Sequence, residues 1–379
     1  MNGTVLNEIK EVRNNKGFIV NYDNTNRYRL SVFEENLSQT SYYFSSPIYN
    51  LKSRQLVSRN IVKIGNIFQM TGSNADICIG ENEVMLKNDE ALVQISADGF
   101  TNNMTAENIE FLPALNGIAV KVKNTDGEFD FCVKTDRPFM KLRNNTKYFA
   151  LMSEDFRPYM TVSAIGAFDS KGNIFPLKVS CQKIDDQNYT VRVSGARHSE
   201  RSEESLTPTL MFEINLYEPK LFQDTTVESR NPGENNAFGS MGFIGRSDGL
   251  GQQWLYSRVD SGKIPEILNT EINKAILHIP KYNDSDLTLT GYGISARFCS
   301  FGSNWGNKIR QTCTSAKSSL SEKYCSLDIT DLISNKKTGS YKASEGFVLK
   351  SDIKNGVMND FMAIATGDNY YTPQILEIS

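Results

Sequence analysis

The densest run of side chains able to do chemistry is Asp224-Thr225-Thr226-Val227-Glu228-Ser229-Arg230-Asn231-Pro232-Gly233-Glu234-Asn235-Asn236. Carboxylates, amide carbonyls and hydroxyls crowded into a loop-like stretch are hard oxygen ligands, and calcium takes roughly six to eight of them. The candidate ligands are Asp224, Glu228, Asn235 and Asn236, and calcium is the one cofactor they point to. The D-x-[DN]-x-[DN]-G order of an EF-hand is absent. Asn and Asp also form turns and cap strands with no ion present.

A second candidate lies near the C-terminus, where Ala365-Thr366-Gly367-Asp368-Asn369-Tyr370-Tyr371-Thr372-Pro373 joins two apolar runs. As a ligand loop it would present aromatic faces and amides, which suit the mixed C–H and hydroxyl surface of a sugar. Asn369, Tyr370 and Tyr371 are therefore candidate ligand-binding residues. Trp305, in the turn-rich SFGSNWGNK, is the fourth. The bland alternative is a β-turn with two packed tyrosines. The other tryptophan, Trp254, lies in QQWLYSRVD. Alternation places Trp254, Tyr256 and Arg258 on one face of a strand and Leu255 and Ser257 on the other.

Enzyme chemistry finds little support. The only histidines are His198 and His278, too few for a multi-histidine zinc centre. His278 sits in the apolar run AILHIP and reads as a satisfied strand residue. G-x-S-x-G, H-E-x-x-H, Walker and dinucleotide-binding motifs are all missing. A carboxylate-dependent glycan hydrolase is the remaining enzymatic reading, but nothing singles out a pair of carboxylates. The expectation is a protein without catalytic residues. Net charge is −3 and the basic residues are scattered, which argues against a nucleic-acid partner. No run approaches the ~18–20 apolar residues of a membrane span.

The elements that must position these residues are strands. Period-2 alternation recurs in NIVKIGNIFQM, DICIG, ALVQISADGF, GIAVKVKN, GEFDFCVK, YMTVSAIGAF, NYTVRVSG and TLMFEINLY, each bounded by turn residues. Asp98-Gly99, Asp126-Gly127 and Lys171-Gly172-Asn173 read as loop tips. The window Ile264–Leu277 reads as a short turn followed by the strand AILHIP. The fold class is therefore all-β, as tandem β-sandwich modules. Composition places an N-terminal sandwich over 1–135 and a small β module over 136–197. A polar linker or insert covers 198–208, and a C-terminal jelly-roll-like sandwich covers 209–379. The string HSERSEES in that linker is similar to a translated palindromic repeat element. Cys78, Cys132, Cys181 and Cys299 lie in strand-like runs and read as small buried hydrophobes. Cys313 and Cys325 either pair or remain two free thiols.

Several of these segments together resemble the DNRLRE domain, grouped with carbohydrate-binding module family 96. They are Asp224-Thr225-Thr226-Val227, Asn235-Asn236-Ala237-Phe238-Gly239, Trp254-Leu255-Tyr256-Ser257-Arg258-Val259-Asp260, Ile272-Asn273-Lys274-Ala275-Ile276-Leu277 and the closing Ala365–Leu376. Val259 departs from the family's preference for Phe, and residues 300–305 differ from its pattern. The resemblance implies a jelly-roll sandwich of a bacterial surface protein that binds polysaccharide or a cell-surface glycan. The alternative it carries is a structural stalk within a larger surface assembly or Rhs-type system, without glycan affinity. It implies an extracellular or cell-surface location. The N-terminus shows no secretory signal, so cytoplasmic retention and a fragment of a longer chain stay open beside it.

Overall fold

The computed structural model describes residues 5–34, 36, 38–50, 53–71, 74–97, 100, 108–123, 127–137, 141–195, 208–247, 249–268, 272–333, 345–352 and 359–379. The protein is all-β, built from antiparallel sheets with a few short helices. It divides into two compact units: residues 49–218 with the extreme N-terminus, and residues 6–48 with 219–379.

The first unit has two large sheets. One runs in the order Leu177–Lys183, Asn188–Gly195, Glu128–Thr135, Leu92–Ser96, Glu83–Lys87, Asp76–Ile79, Ile67–Thr71 and Asn60–Ile64. The other runs Ile109–Pro113, Gly117–Val122, Thr209–Leu216, Pro158–Phe168, Tyr148–Met152 and Lys141–Asn144. Both send alternate residues into one core, which holds Ile77, Val93 and Val191 from the first sheet and Val120, Phe149 and Ile214 from the second. Phe131 stacks on Phe212 across the layers at 5.3 Å, a contact worth ~0.5–1.5 kcal/mol beyond the area it buries. The same alternation that turns Phe131 and Val133 inward turns Cys132 out. Cys132 and Cys299 are exposed and Cys78 and Cys181 half-buried, which corrects their reading as buried hydrophobes. Among the described cysteines Cys325 is the buried one and is a free thiol; the side chain of Cys313 lies outside the described residues.

The second unit is one long sheet bent into two layers. Its order is Ile19–Val20, Arg29–Phe33, Gln39–Phe44, Ile375–Ile378, Ala275–Pro280, Tyr324–Asp328, Gln311–Leu320, Leu289–Ile294, Phe347–Ser351, Gly251–Val259, Met241–Ser247 and Asp360–Ala365. Phe222–Glu228 pairs with the far side of Gly251–Val259. The bend falls in the ten-residue strand Gln311–Leu320. Its first part pairs with Leu289–Ile294, and Ser318–Leu320 pairs with Tyr324–Asp328. Leu277, Leu327 and Leu376 from one half then share a core with Leu255, Leu289, Leu349 and Ile364 from the other.

These pairings divide the chain differently from the composition breaks. A boundary at 135/136 cuts a single sheet, because Glu128–Thr135 pairs with Asn188–Gly195. Thr209–Leu216 belongs to the first unit, between Gly117–Val122 and Pro158–Phe168, so the second unit resumes at Pro219. The polar stretch at 198–208 lies almost wholly outside the described residues, and the strands flanking it belong to the same unit. The N-terminal residues add three strands to the second unit's sheet, with Gln39–Phe44 lying antiparallel to Ile375–Ile378. Helix Val5–Val12 has no counterpart in the sequence expectation. The expected turn before AILHIP is present as helix Pro265–Leu268, followed by strand Ala275–Pro280.

Candidate functional site

Strand Phe222–Glu228 is paired so that Thr226 lies opposite the core residue Leu255. Period-2 alternation therefore sends Asp224, Thr226 and Glu228 into the interior, and all three are buried. Asp224 and Glu228 are four residues apart on one strand, a separation of ~13 Å at the rise of extended chain. They cannot share an ion. The two amides are engaged in hydrogen bonds within the protein, and Asn235 Oδ1 accepts the N–H of Ala237. Asn235 Nδ2 donates to the carbonyls of Ser300 and Ser303, and Asn236 Nδ2 donates to Thr226 O and Glu228 Oε1. The four residues expected to hold calcium thus do not converge on one point. Among the described residues no group of three or more His, Cys, Asp or Glu side chains gathers around a metal-sized gap.

Asp224 finds other company. Its Oδ2 accepts the N–H of Gly367 at 2.5 Å. A Cβ on Gly367 would sit 2.9 Å from Phe222 Cβ and 3.0 Å from this oxygen, so only glycine lets the turn approach so closely. Asp368 follows. Lys220 Nζ donates to Asp368 Oδ1 at 2.5 Å and stands 4.2 Å over the ring of Tyr370. All three charged side chains are enclosed: Asp224 is 1%, Asp368 7% and Lys220 8% exposed. Burial first, and the Asp368 carboxylate second, hold Asp224 well above the usual carboxylate range. Burial also raises Asp368, against the opposing pull of Lys220. Asp224 is thus pushed toward its protonated form beside the Asp368 carboxyl, which receives the ammonium of Lys220.

The aromatic candidates separate. Tyr370 is fully buried beneath Lys220, and Asn369 is fully buried. Asn369 donates to Ser240 O and Tyr282 Oη and accepts from the N–H of Thr372, so it organises the turn from within. Neither can present itself to a ligand from solution, and Tyr371 is half-buried. Trp305 lies elsewhere, against Trp254 on the outer face of the sheet.

That outer face carries the more open arrangement. Trp254 and Tyr256 point away from the main core while Leu255 points into it, as alternation requires. Val227, Ile294 and Val348 share the outward face, and the loop after Leu289–Ile294 folds Phe298, Trp305 and Ile309 over them. Trp254 and Trp305 meet with centroids 4.6 Å apart and planes tilted by 48°. Lys350 Nζ stands 3.2 Å from the centroid of Trp254, and Lys308 Nζ 3.8 Å from that of Trp305. Among the described residues neither lysine has a carboxylate within ion-pairing distance. Burial, and then repulsion from Lys308, lower Lys350 to about 8; burial alone lowers Lys308. Trp254 Nε1 is sealed from water without an acceptor. The sequence pointed to Trp305. The lysines carry no signal in sequence, because only the pairing of Phe347–Ser351 with Gly251–Val259 brings Lys350 to Trp254.

His278 is satisfied as expected, with Nδ1 against Ser326 Oγ and Nε2 against Glu377 Oε2. His198 lies outside the described residues. No protein-family model matches the chain, and no curated protein matches it.

Proposed function

We propose that this is a non-catalytic carbohydrate-binding protein and that the Trp254–Trp305 pair is its sugar platform. The observation that carries the reading is the tilted indole pair on an outer sheet face, flanked by two lysines that have no carboxylate partner among the described residues. Indole faces suit the C–H surfaces of sugar rings. Lys308 is solvent-exposed on a flexible stem and can lift off its ring to uncover it. The two ammonium groups favour sugars that bear carboxylate or sulfate, since an anion would relieve their mutual repulsion. A polysaccharide or cell-surface glycan is the partner this chemistry describes.

Affinity electrophoresis through gels containing acidic and neutral polysaccharides tests the reading. Wild type is expected to be retarded by at least one acidic polysaccharide. Trp305→Ala should weaken that binding by about tenfold or more, equivalent to ~1.4 kcal/mol. Lys308→Ala and Lys350→Ala should weaken it for acidic polymers only. Unretarded migration of the wild type in every gel would refute the proposal.

A further inference from the structure

The enclosed Lys220–Asp368–Asp224 triad does not face a ligand, yet it holds an amine, a carboxyl group and a second carboxyl together. We propose that Lys220 and Asp368 condense spontaneously to an intramolecular amide, with Asp224 as the acid–base partner, so that the mature protein carries a covalent cross-link between them. This inference is independent of the glycan reading.

The geometry has the parts the reaction needs. Lys220 Nζ is 2.5 Å from Asp368 Oδ1, so nucleophile and electrophile are already together, and such placement replaces a large share of the entropic barrier. The site is closed to water: Asp224, Asp368 and Lys220 are each at least nine-tenths buried, and Tyr370 and Phe222, both fully enclosed, adjoin them. In water a free ammonium and carboxylate do not condense. In a dry site the ion pair loses its solvation, and the neutral amine and acid become accessible. Asp224 Oδ1 is reached by no N–H or hydroxyl among the described residues, which leaves it to the carboxyl of Asp368.

The balance is simple. A proton passes from the Lys220 ammonium to the Asp368 carboxylate, leaving an amine and a carboxylic acid. The Nζ lone pair attacks Cγ of Asp368 and forms the C–N bond. Asp224 gives a proton to the departing oxygen and recovers one from Nζ. The C–O bond breaks, one water leaves, and Asp224 ends as it began. Nothing is oxidised or reduced. The product ties the start of strand Phe222–Glu228 to the turn after Asp360–Ala365, across 148 residues of chain. Such a bond would hold the two ends of residues 219–379 together under pulling force, a property useful to a protein exposed at a surface.

Intact-mass spectrometry of the purified full chain, with peptide mapping, decides the matter. Wild type is expected to weigh one water less than its sequence, and digestion should yield a branched peptide joining Lys220 to Asp368. Lys220→Arg keeps the charge pair, and therefore the fold, but cannot form the amide, so it should show the full mass. Asp224→Asn should also retain the full mass or lose water far more slowly. Wild type at full sequence mass after prolonged incubation in the folded state would overturn the proposal. So would a water loss that persists in Lys220→Arg, because it would then originate elsewhere.

Discussion

Lys350 shows how a residue's behaviour is set by neighbours distant in sequence. Its ammonium lies over Trp254, beside Lys308, and its folded-state value falls from the ordinary 10.5 to about 8. For a base lowered on folding, the unfolded chain binds the proton more tightly than the folded one. Its contribution to stability is therefore fully present above the unfolded value and is lost as pH falls through the folded value. Between about 8 and 10.5 the wild type should gain stability with rising pH relative to Lys350→Met, which cannot titrate. Chemical denaturation of both proteins across that window measures the difference. Parallel pH profiles would place Lys350 in ordinary solvent. Trp305 stood out in the sequence because a tryptophan in a turn-rich stretch has little local core to join, and the fold packs it against Trp254. Tyr370 and Asn369 were misread for the converse reason. A tyrosine in a Gly-Asp-Asn turn looks exposed, but here the turn itself is internal, held by Gly367 against Asp224.

At the scale of elements, the N-terminal hairpin is the least expected feature. Arg29–Phe33 and Gln39–Phe44 carry apolar residues on both faces, and Tyr43 enters the main core of the second unit. Without them, strand Ile375–Ile378 would present an unpaired edge over Ser41–Phe44's register, which is a template for aggregation. A fragment of residues 219–379 alone is expected to be largely insoluble or to melt well below the full chain. Adding a peptide of residues 6–48 should restore solubility, because the strand can dock by main-chain pairing. A fragment that is equally stable with and without the peptide would show the hairpin to be dispensable. Sequence alternation found the strands but not this pairing, since period-2 patterning records which face is buried and not which edge a strand joins.

For the whole molecule, the connectivity changes the meaning of the polar stretch at 198–208. It joins Asn188–Gly195 to Thr209–Leu216, two strands of the first unit that lie in different sheets. Cleavage there should therefore leave a nicked protein whose pieces stay together, rather than releasing a C-terminal domain. Size-exclusion chromatography after limited proteolysis should show one native-sized peak that separates only in denaturant. Release of a free fragment of residues 209–379 under native conditions would contradict the strand pairing of Thr209–Leu216 with Gly117–Val122 and Pro158–Phe168.

The amino-acid sequence alone determined the all-β character, the positions of most strands in the alternating runs, the inward and outward faces of Trp254 and Leu255, and the lack of familiar catalytic motifs. These are local properties: side-chain periodicity and turn chemistry act within a few residues. Tertiary structure decided the rest. It moved residues 6–48 into the second unit, turned Asp224 away from Glu228 and toward Asp368, and set Lys350 over Trp254. Each of these outcomes depends on which strand edges pair and on what burial then does to a charge. Both are settled by contacts between residues far apart in the chain, and no local pattern encodes them.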